Sequence, residues 1–197
     1  MTEDIQPAPS MDEQGLKCFQ ETTHRSKCYL EYGSGGSTVY AAKIAKIPNV
    51  ISVESDKSWS EKVKASAYSP PGRLHIEHCD IGEVGEWGTP KNRDKIENFW
   101  RYVVSPWHSA KYNHLVPDTI LVDGRFRVAA FLFTLVAARA GSVILFDDYF
   151  DRPHYFIVEQ FCPVEEKHGR MAVFLATKHF SFADICERIA QYSIVWS

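Results

Sequence analysis

A chain of 197 residues, 45% hydrophobic and 24% charged, has the size and composition of one globular domain with a full core. Its formal net charge of −3 at pH 7 excludes the basic footprint of a nucleic-acid binder, so a small-molecule partner is expected rather than nucleic acid. The acidic, polar start MTEDIQPAPS has neither the basic nor the apolar region of a secretory signal, and the longest apolar run, Val128 to Ala138, is too short to cross a bilayer. With five cysteines at unpaired spacings (Cys18, Cys28, Cys79, Cys162 and Cys186), the expectation is free thiols, a cytoplasmic location and no membrane partner.

Residues 1–15 carry Glu3, Asp4, Asp12 and Glu13, two prolines and little apolar periodicity, which reads as a mobile start to a polar leader over 1–26. A single domain is expected over 27–197. From Lys27 onward, short apolar runs alternate with helical stretches, the signature of βαβ units and a parallel sheet. The first strand is KCYLEY (27–32), followed by GSGGST (33–38) and a helix through Val39, Tyr40, Ile44 and Ile47 that Pro48 stops. The second strand is NVISVES (49–55); Asp56 caps a helix expected to reach about Tyr68, before Pro70-Pro71. The third strand is RLHIEHCD (73–80).

An insertion follows at about 81–117, rich in aromatic residues, with one amphipathic piece at 94–104. The fourth strand, DTILVD (118–123), is nearly all apolar, as a central parallel strand should be. A helix over Arg127 to Ala140 ends at Gly141, and SVILFDD (142–148) is the fifth strand. Pro153 starts a further helix to about Phe161, although Tyr155 to Val158 also suits a strand. RMAVFLAT (170–177) is the last strand. The expected fold is therefore α/β, a Rossmann-like, doubly wound, mostly parallel sheet of seven strands, shortened at the antiparallel C-terminal edge.

The glycine-rich turn lies where the first strand meets the first helix, the place where open α/β sheets bind nucleotides. Glycines there allow a tight turn and close approach of backbone to ligand. Thr38 stands where the dinucleotide fingerprint needs its third glycine, and no Lys-Ser/Thr follows to make a phosphate loop. Glu31, just before the glycines, would repel a pyrophosphate and suits the cationic amino-acid end of a different cofactor. Glu54, 23 positions on, closes the second strand and is placed to accept ribose hydroxyls. Asp80 and Ile81 are placed to meet an adenine.

These residues, E-x-G-x-G-G-S-T followed by V-E, resemble the cofactor half of class I, Rossmann-like S-adenosylmethionine-dependent methyltransferases over about residues 27–177. WGTP (87–90), VDGRFRVA (122–129) and LFDDY (145–149) are similar to a bacterial group of methyltransferase-like proteins. The resemblance implies S-adenosylmethionine as cofactor, held by Glu31, Gly33, Ser34, Gly35, Gly36, Ser37, Glu54, Asp80 and Ile81. It departs at Ser37, where many members carry glycine. The implied activity is methyl transfer to a small molecule, with oxygen the expected acceptor. A non-catalytic module binding S-adenosylmethionine or a nucleotide is the alternative, and a nicotinamide oxidoreductase is disfavoured by Thr38 and Glu31.

Asp123 ends the fourth strand and Asp147-Asp148 the fifth, so three carboxylates meet at the binding edge and need cations. They are the candidate catalytic residues. Mg²⁺ among them would resemble the metal-dependent O-methyltransferases that act on catechols and macrolide sugars. Alternatively, Arg125 and Arg127 neutralise the aspartates, or bind an anionic substrate. Trp87, Tyr149 and His154 complete the candidate substrate site. The aromatic insertion suits a substrate wall, a homodimer interface or plain packing over the sheet.

Overall fold

The computed structural model describes residues 5–67 and 69–196. The first four residues of the leader and Tyr68, where the second helix was expected to end, lie outside the described residues.

Seven strands form one sheet in the order β3-β2-β1-β4-β5-β7-β6. They are β1 (Cys28–Tyr32), β2 (Asn49–Glu54), β3 (Leu74–His78), β4 (Thr119–Val122), β5 (Val143–Phe146), β6 (Glu166–His168) and β7 (Met171–Leu175). The first five run parallel; β7 returns antiparallel against β5, pairing Phe146 with Ala172, and β6 lies antiparallel outside it. Three-residue β6 is too short to show a period in the sequence, and it makes the antiparallel edge complete in strand number though short in length.

β1 is buried at every position because helices cover both faces. One face carries α1 (Glu13–Thr23), α2 (Gly36–Val39, continued by a wider turn over Tyr40–Ile44) and α3 (Lys57–Ser66), whose side chains pack on Tyr29, Val50, Leu121 and Ile76. The other carries α4 (Phe99–Tyr112), α5 (Arg127–Ala137) and α6 (Phe182–Tyr192), packed on Leu30, Tyr32, Ile120 and Phe146. Among the described residues no helix is long and apolar enough to cross a membrane.

The segment expected as a polar leader contains α1. Asp12 caps it by accepting from the Gly15 amide at 2.7 Å, and Phe19 and Thr23 are fully buried. Its apolar face is only two or three side chains wide, so composition hides a helix that packing on the sheet makes stable. The aromatic insertion also resolves into structure: Phe99, Tyr102 and Trp107 of α4 are core residues, while Trp100 and Tyr112 stay exposed. The segment after Pro153 is neither a regular α-helix nor a strand but 3₁₀ turns over Pro153–Gln160.

Candidate active site

The order of connections reverses between β1 and β4, and their carboxyl ends part there to open a crevice. A cavity of about 910 Å³ lies above this point, a size suited to a nucleoside-bearing ligand with room for a second molecule. Its floor is Gly33 to Ser37 and Asp123 to Arg125. Glu54, Asp56, Trp59 and Lys62 form one wall, Gly85 to Gly88 and Tyr102 another, and Ile5 to Ser10 of the N-terminal strap a third.

The glycines of the turn have different jobs. Gly33 has a φ of +85°, and a Cβ there would press on Gly124 Cα at 3.0 Å, so it serves the close approach of two strand ends. A Cβ on Gly36 would collide with the Ala8 carbonyl oxygen of the strap. Gly35 alone of the three faces open space, with the Trp59 ring 4.0 Å away as its nearest neighbour. Gly35 is thus the glycine whose bare surface is left for a ligand. Ser34 and Ser37 also line the cavity, Ser34 giving its amide and hydroxyl to Glu54, both at 3.0 Å.

Glu54 sits at the cavity wall and is itself held by the amides of Ser55 (2.7 Å) and Asp56 (2.9 Å). A carboxylate fixed by amides at the end of β2 is held in one orientation at the cavity wall. Glu31, expected to meet the cofactor, does not reach the cavity. It is fully buried beneath the turn, accepting from the Tyr29 hydroxyl at 2.7 Å and from Thr38. The Thr38 oxygen in turn accepts from the Gly35 amide at 2.9 Å. Burial pushes the Glu31 carboxyl up to about 7, against the pull of these hydroxyls. Its side chain points to the face of β1 that α2 covers rather than to the strand end, so it shapes the turn from below.

The expected adenine contacts are also corrected. Asp80 turns outward to Lys95 and the Gly82 amide (3.0 Å), and Ile81 is buried in the core. The segment 85–89 takes their place at the wall, tied to β2 by the Ser55 hydroxyl donating to Gly88 O at 2.9 Å. Trp87 in this segment is 81% exposed and left-handed at φ 59°. A bulky residue in that region costs roughly 1–3 kcal/mol and is characteristic of binding sites.

The three aspartates do converge, with one oxygen from each lying within 4.8 Å of the others. Buried Arg127 pairs with Asp123 at 2.8 Å and with Asp148 at 3.2 Å. Arg170 pairs with Asp147 at 3.1 Å and Asp148 at 3.0 Å, and Arg152 with Asp148 at 3.0 Å. Arg127 joins the cluster, one of the two alternatives expected for it; Arg125 makes no ion pair there and lines the cavity instead, in line with the other alternative. Arg170 is found only through the antiparallel pairing of β7 with β5, which carries it alongside Asp148. A divalent cation at this point would face three guanidinium groups, so the donor set does not fit Mg²⁺.

Expected as catalytic or metal residues, Asp147 and Asp148 are instead engaged by Arg127, Arg152 and Arg170, and neither of them lines the cavity. Asp123 does. A third of its side chain is open to the cavity, yet it lies deep, and desolvation raises its pKa to about 6 although Arg127 opposes the rise. Of the candidate substrate residues, Trp87 and Arg125 line the cavity. Arg127 is locked in the ion cluster, Tyr149 is fully buried with its hydroxyl on Glu159 at 2.9 Å, and His154 is exposed, meets the Tyr155 ring edge-on and does not line the cavity. The strap, Trp59 and Tyr102 were missed. Trp59 donates from its ring nitrogen to Ser34 O at 2.7 Å, a contact that depends on how α3 docks and leaves no local sequence signal.

No family model matches the sequence, and no curated protein matches it. Among solved structures, a methyltransferase-like protein from Silicibacter pomeroyi is 33% identical, with a TM-score of 0.82 over 95% of this chain and 98% of that one. An O-methyltransferase from Bacillus cereus, solved with S-adenosylhomocysteine, is 15% identical at a TM-score of 0.52, covering 85% of this chain and 84% of that one. The second likeness is one of fold. The first, over nearly the whole of both chains, agrees with the sheet order, the crevice between β1 and β4 and the glycine turn: the chain belongs to the class I, S-adenosylmethionine-dependent methyltransferases.

Proposed function

We propose that this cavity binds S-adenosylmethionine across Gly35 and Glu54 and methylates an oxygen of a small acceptor, with Asp123 as general base. The observation that carries the reading is Gly35: its missing side chain opens onto the cavity, and among the described residues nothing approaches that space closer than the Trp59 ring at 4.0 Å. The bound cofactor supplies a methyl group already activated by its sulfonium. Gly35 lets the backbone come close to it, and Glu54 accepts the ribose hydroxyls. Trp59 and Trp87 flank the cavity as flat apolar surfaces. Asp123 takes the proton that the acceptor hydroxyl loses as its oxygen gains the methyl group; Arg127, bonded to the carboxylate at 2.8 Å, keeps it in place. The protein's contribution is alignment in a site screened from water by the strap.

Asp123→Asn tests this directly. S-adenosylhomocysteine should bind as in the wild type while turnover falls about 10²–10⁴-fold, the usual worth of a general base. Wild-type turnover should also decline as pH drops through about 6. Unchanged turnover in Asp123→Asn removes the base; failure of the wild type to bind S-adenosylhomocysteine in calorimetry removes the cofactor site.

A further inference from the structure

One residue, Phe126, separates Arg125 from Arg127, and their surroundings are opposite. Arg127 is saturated by carboxylates. Arg125 has no carboxylate partner among the described residues. Its Nε is buried without an acceptor, and its one side-chain hydrogen bond runs from Nη1 to the Thr89 hydroxyl at 3.3 Å, long for a charged donor. Arg125 lines the cavity.

Arg125 is also held firmly. Its backbone amide donates to the Tyr102 hydroxyl at 3.3 Å, and the next residue, Phe126, is fully buried and left-handed at φ 54°. Phe126 packs against Phe99 and Tyr102, with ring centroids 5.1 and 5.6 Å away. The chain therefore accepts backbone strain at the residue that sets the direction of Arg125. Two carboxylates of the same cavity are already engaged elsewhere: Asp123, whose charge is felt at Arg125, forms its ion pair with Arg127, and Glu54 accepts from Ser34, Ser55 and Asp56. Burying a guanidinium with an unsatisfied donor is costly unless a ligand completes it.

We propose that the methyl acceptor is an anion, bearing a carboxylate or a phosphate, and that Arg125 receives its charged group. The inference rests on the methyl-transfer reading of the same cavity. S-adenosylmethionine does not itself supply the missing charge, because its carboxylate is offset by its ammonium and its sulfonium leaves it cationic overall. Cofactor binding thus adds positive charge beside an unpaired guanidinium, and an anionic acceptor balances both. Arg125 would act as a forked donor, fixing the acceptor in orientation as well as in charge.

The test is made on the full chain saturated with S-adenosylhomocysteine. Inorganic phosphate and, separately, acetate are titrated in against chloride at matched ionic strength, followed by the change in intrinsic tryptophan fluorescence, Trp59 and Trp87 being the two of the five tryptophans that line the cavity. The wild type should show saturable binding of at least one oxyanion. Arg125→Gln should weaken it about ten- to hundredfold, with Arg125→Lys in between, while affinity for S-adenosylhomocysteine stays within twofold. Retained affinity for S-adenosylhomocysteine also shows that the variant is folded. Three results overturn the proposal: no saturable oxyanion effect in the wild type, an equal effect in Arg125→Gln, or a loss of S-adenosylhomocysteine affinity in that variant with 5′-methylthioadenosine unaffected. The last would assign the guanidinium to the carboxylate of the cofactor. Failure of the cofactor reading is seen separately, as a wild type that binds oxyanion in an Arg125-dependent way but not S-adenosylhomocysteine.

Discussion

Two charged regions lie side by side at the carboxyl ends of the central strands, and they are built on opposite plans. At β4 and β5, three aspartates meet three arginines, and every carboxylate has a guanidinium within 3.2 Å. At the neighbouring cavity, Arg125 forms no ion pair among the described residues, Asp123 turns part of its side chain to open space, and Gly35 offers bare backbone. The closed region holds the frame, binding β7 and the strap to β5 through Arg170, which donates to Ser10 O at 2.5 Å. The open one is left incomplete for a ligand. Acidic and basic residues in the same few strand ends thus serve stability or binding according to whether their partners come from the chain itself.

The largest expected effect breaks the closed region. Arg127→Ala leaves Asp123 without its partner and strips one of three from Asp148, so the fold should lose about 3–5 kcal/mol in denaturant unfolding. EDTA should change neither stability nor turnover. A mild effect of Arg127→Ala, or activity lost to EDTA and restored by Mg²⁺, would mean that the arginines are not what neutralises the cluster.

Next comes Glu31, the buried acid beneath the open region. Its pKa in the fold, about 7, lies above its ordinary 4.5. Folding therefore favours the protonated form, and its contribution to stability is present below about pH 4.5 and lost as pH rises through about 7. The loss is on the order of 3 kcal/mol across that window. Glu31→Gln should flatten the pH dependence of the unfolding free energy over this range. An unaltered slope in the variant would show that other groups produce it.

The smallest effect concerns the open region itself. Glu54→Ala should weaken S-adenosylhomocysteine binding by about 1.5–3 kcal/mol, the worth of hydrogen bonds to a charged group. Glu54→Gln, which keeps an oxygen for the Ser55 and Asp56 amides, should lose less. Calorimetry on both variants decides it, and wild-type affinity in a folded Glu54→Ala protein would move the ribose elsewhere.

The local signals in this chain were strong where one strand or helix carries them. The apolar runs of β1, β4 and β5, the Asp56 cap of α3 and the glycine turn are set by nearest-neighbour chemistry, and each stands where its residues indicate. α1 escaped because its buried face is narrow, and β6 because three residues show no period. Glu31 and Asp80 were misassigned for a different reason. A strand end tells which residues approach the crevice, but not which side of the sheet a carboxylate leaves from or which lysine draws it away.

Charge pairing went the same way. Sequence places Arg125 two and Arg127 four positions after Asp123, and only the docking of α5 separates their roles, turning the more distant one into the cluster and the nearer one into the cavity. Arg170 comes from 47 positions downstream of Asp123, and the strap from the far N-terminus; both arrive through the antiparallel edge and the packing of α1. Identity and order of the elements follow from residue spacing because helix and strand formation are local. Which polar groups meet at the site is decided by tertiary contacts alone, since an unpaired buried charge is satisfied by whichever partner the fold brings within reach.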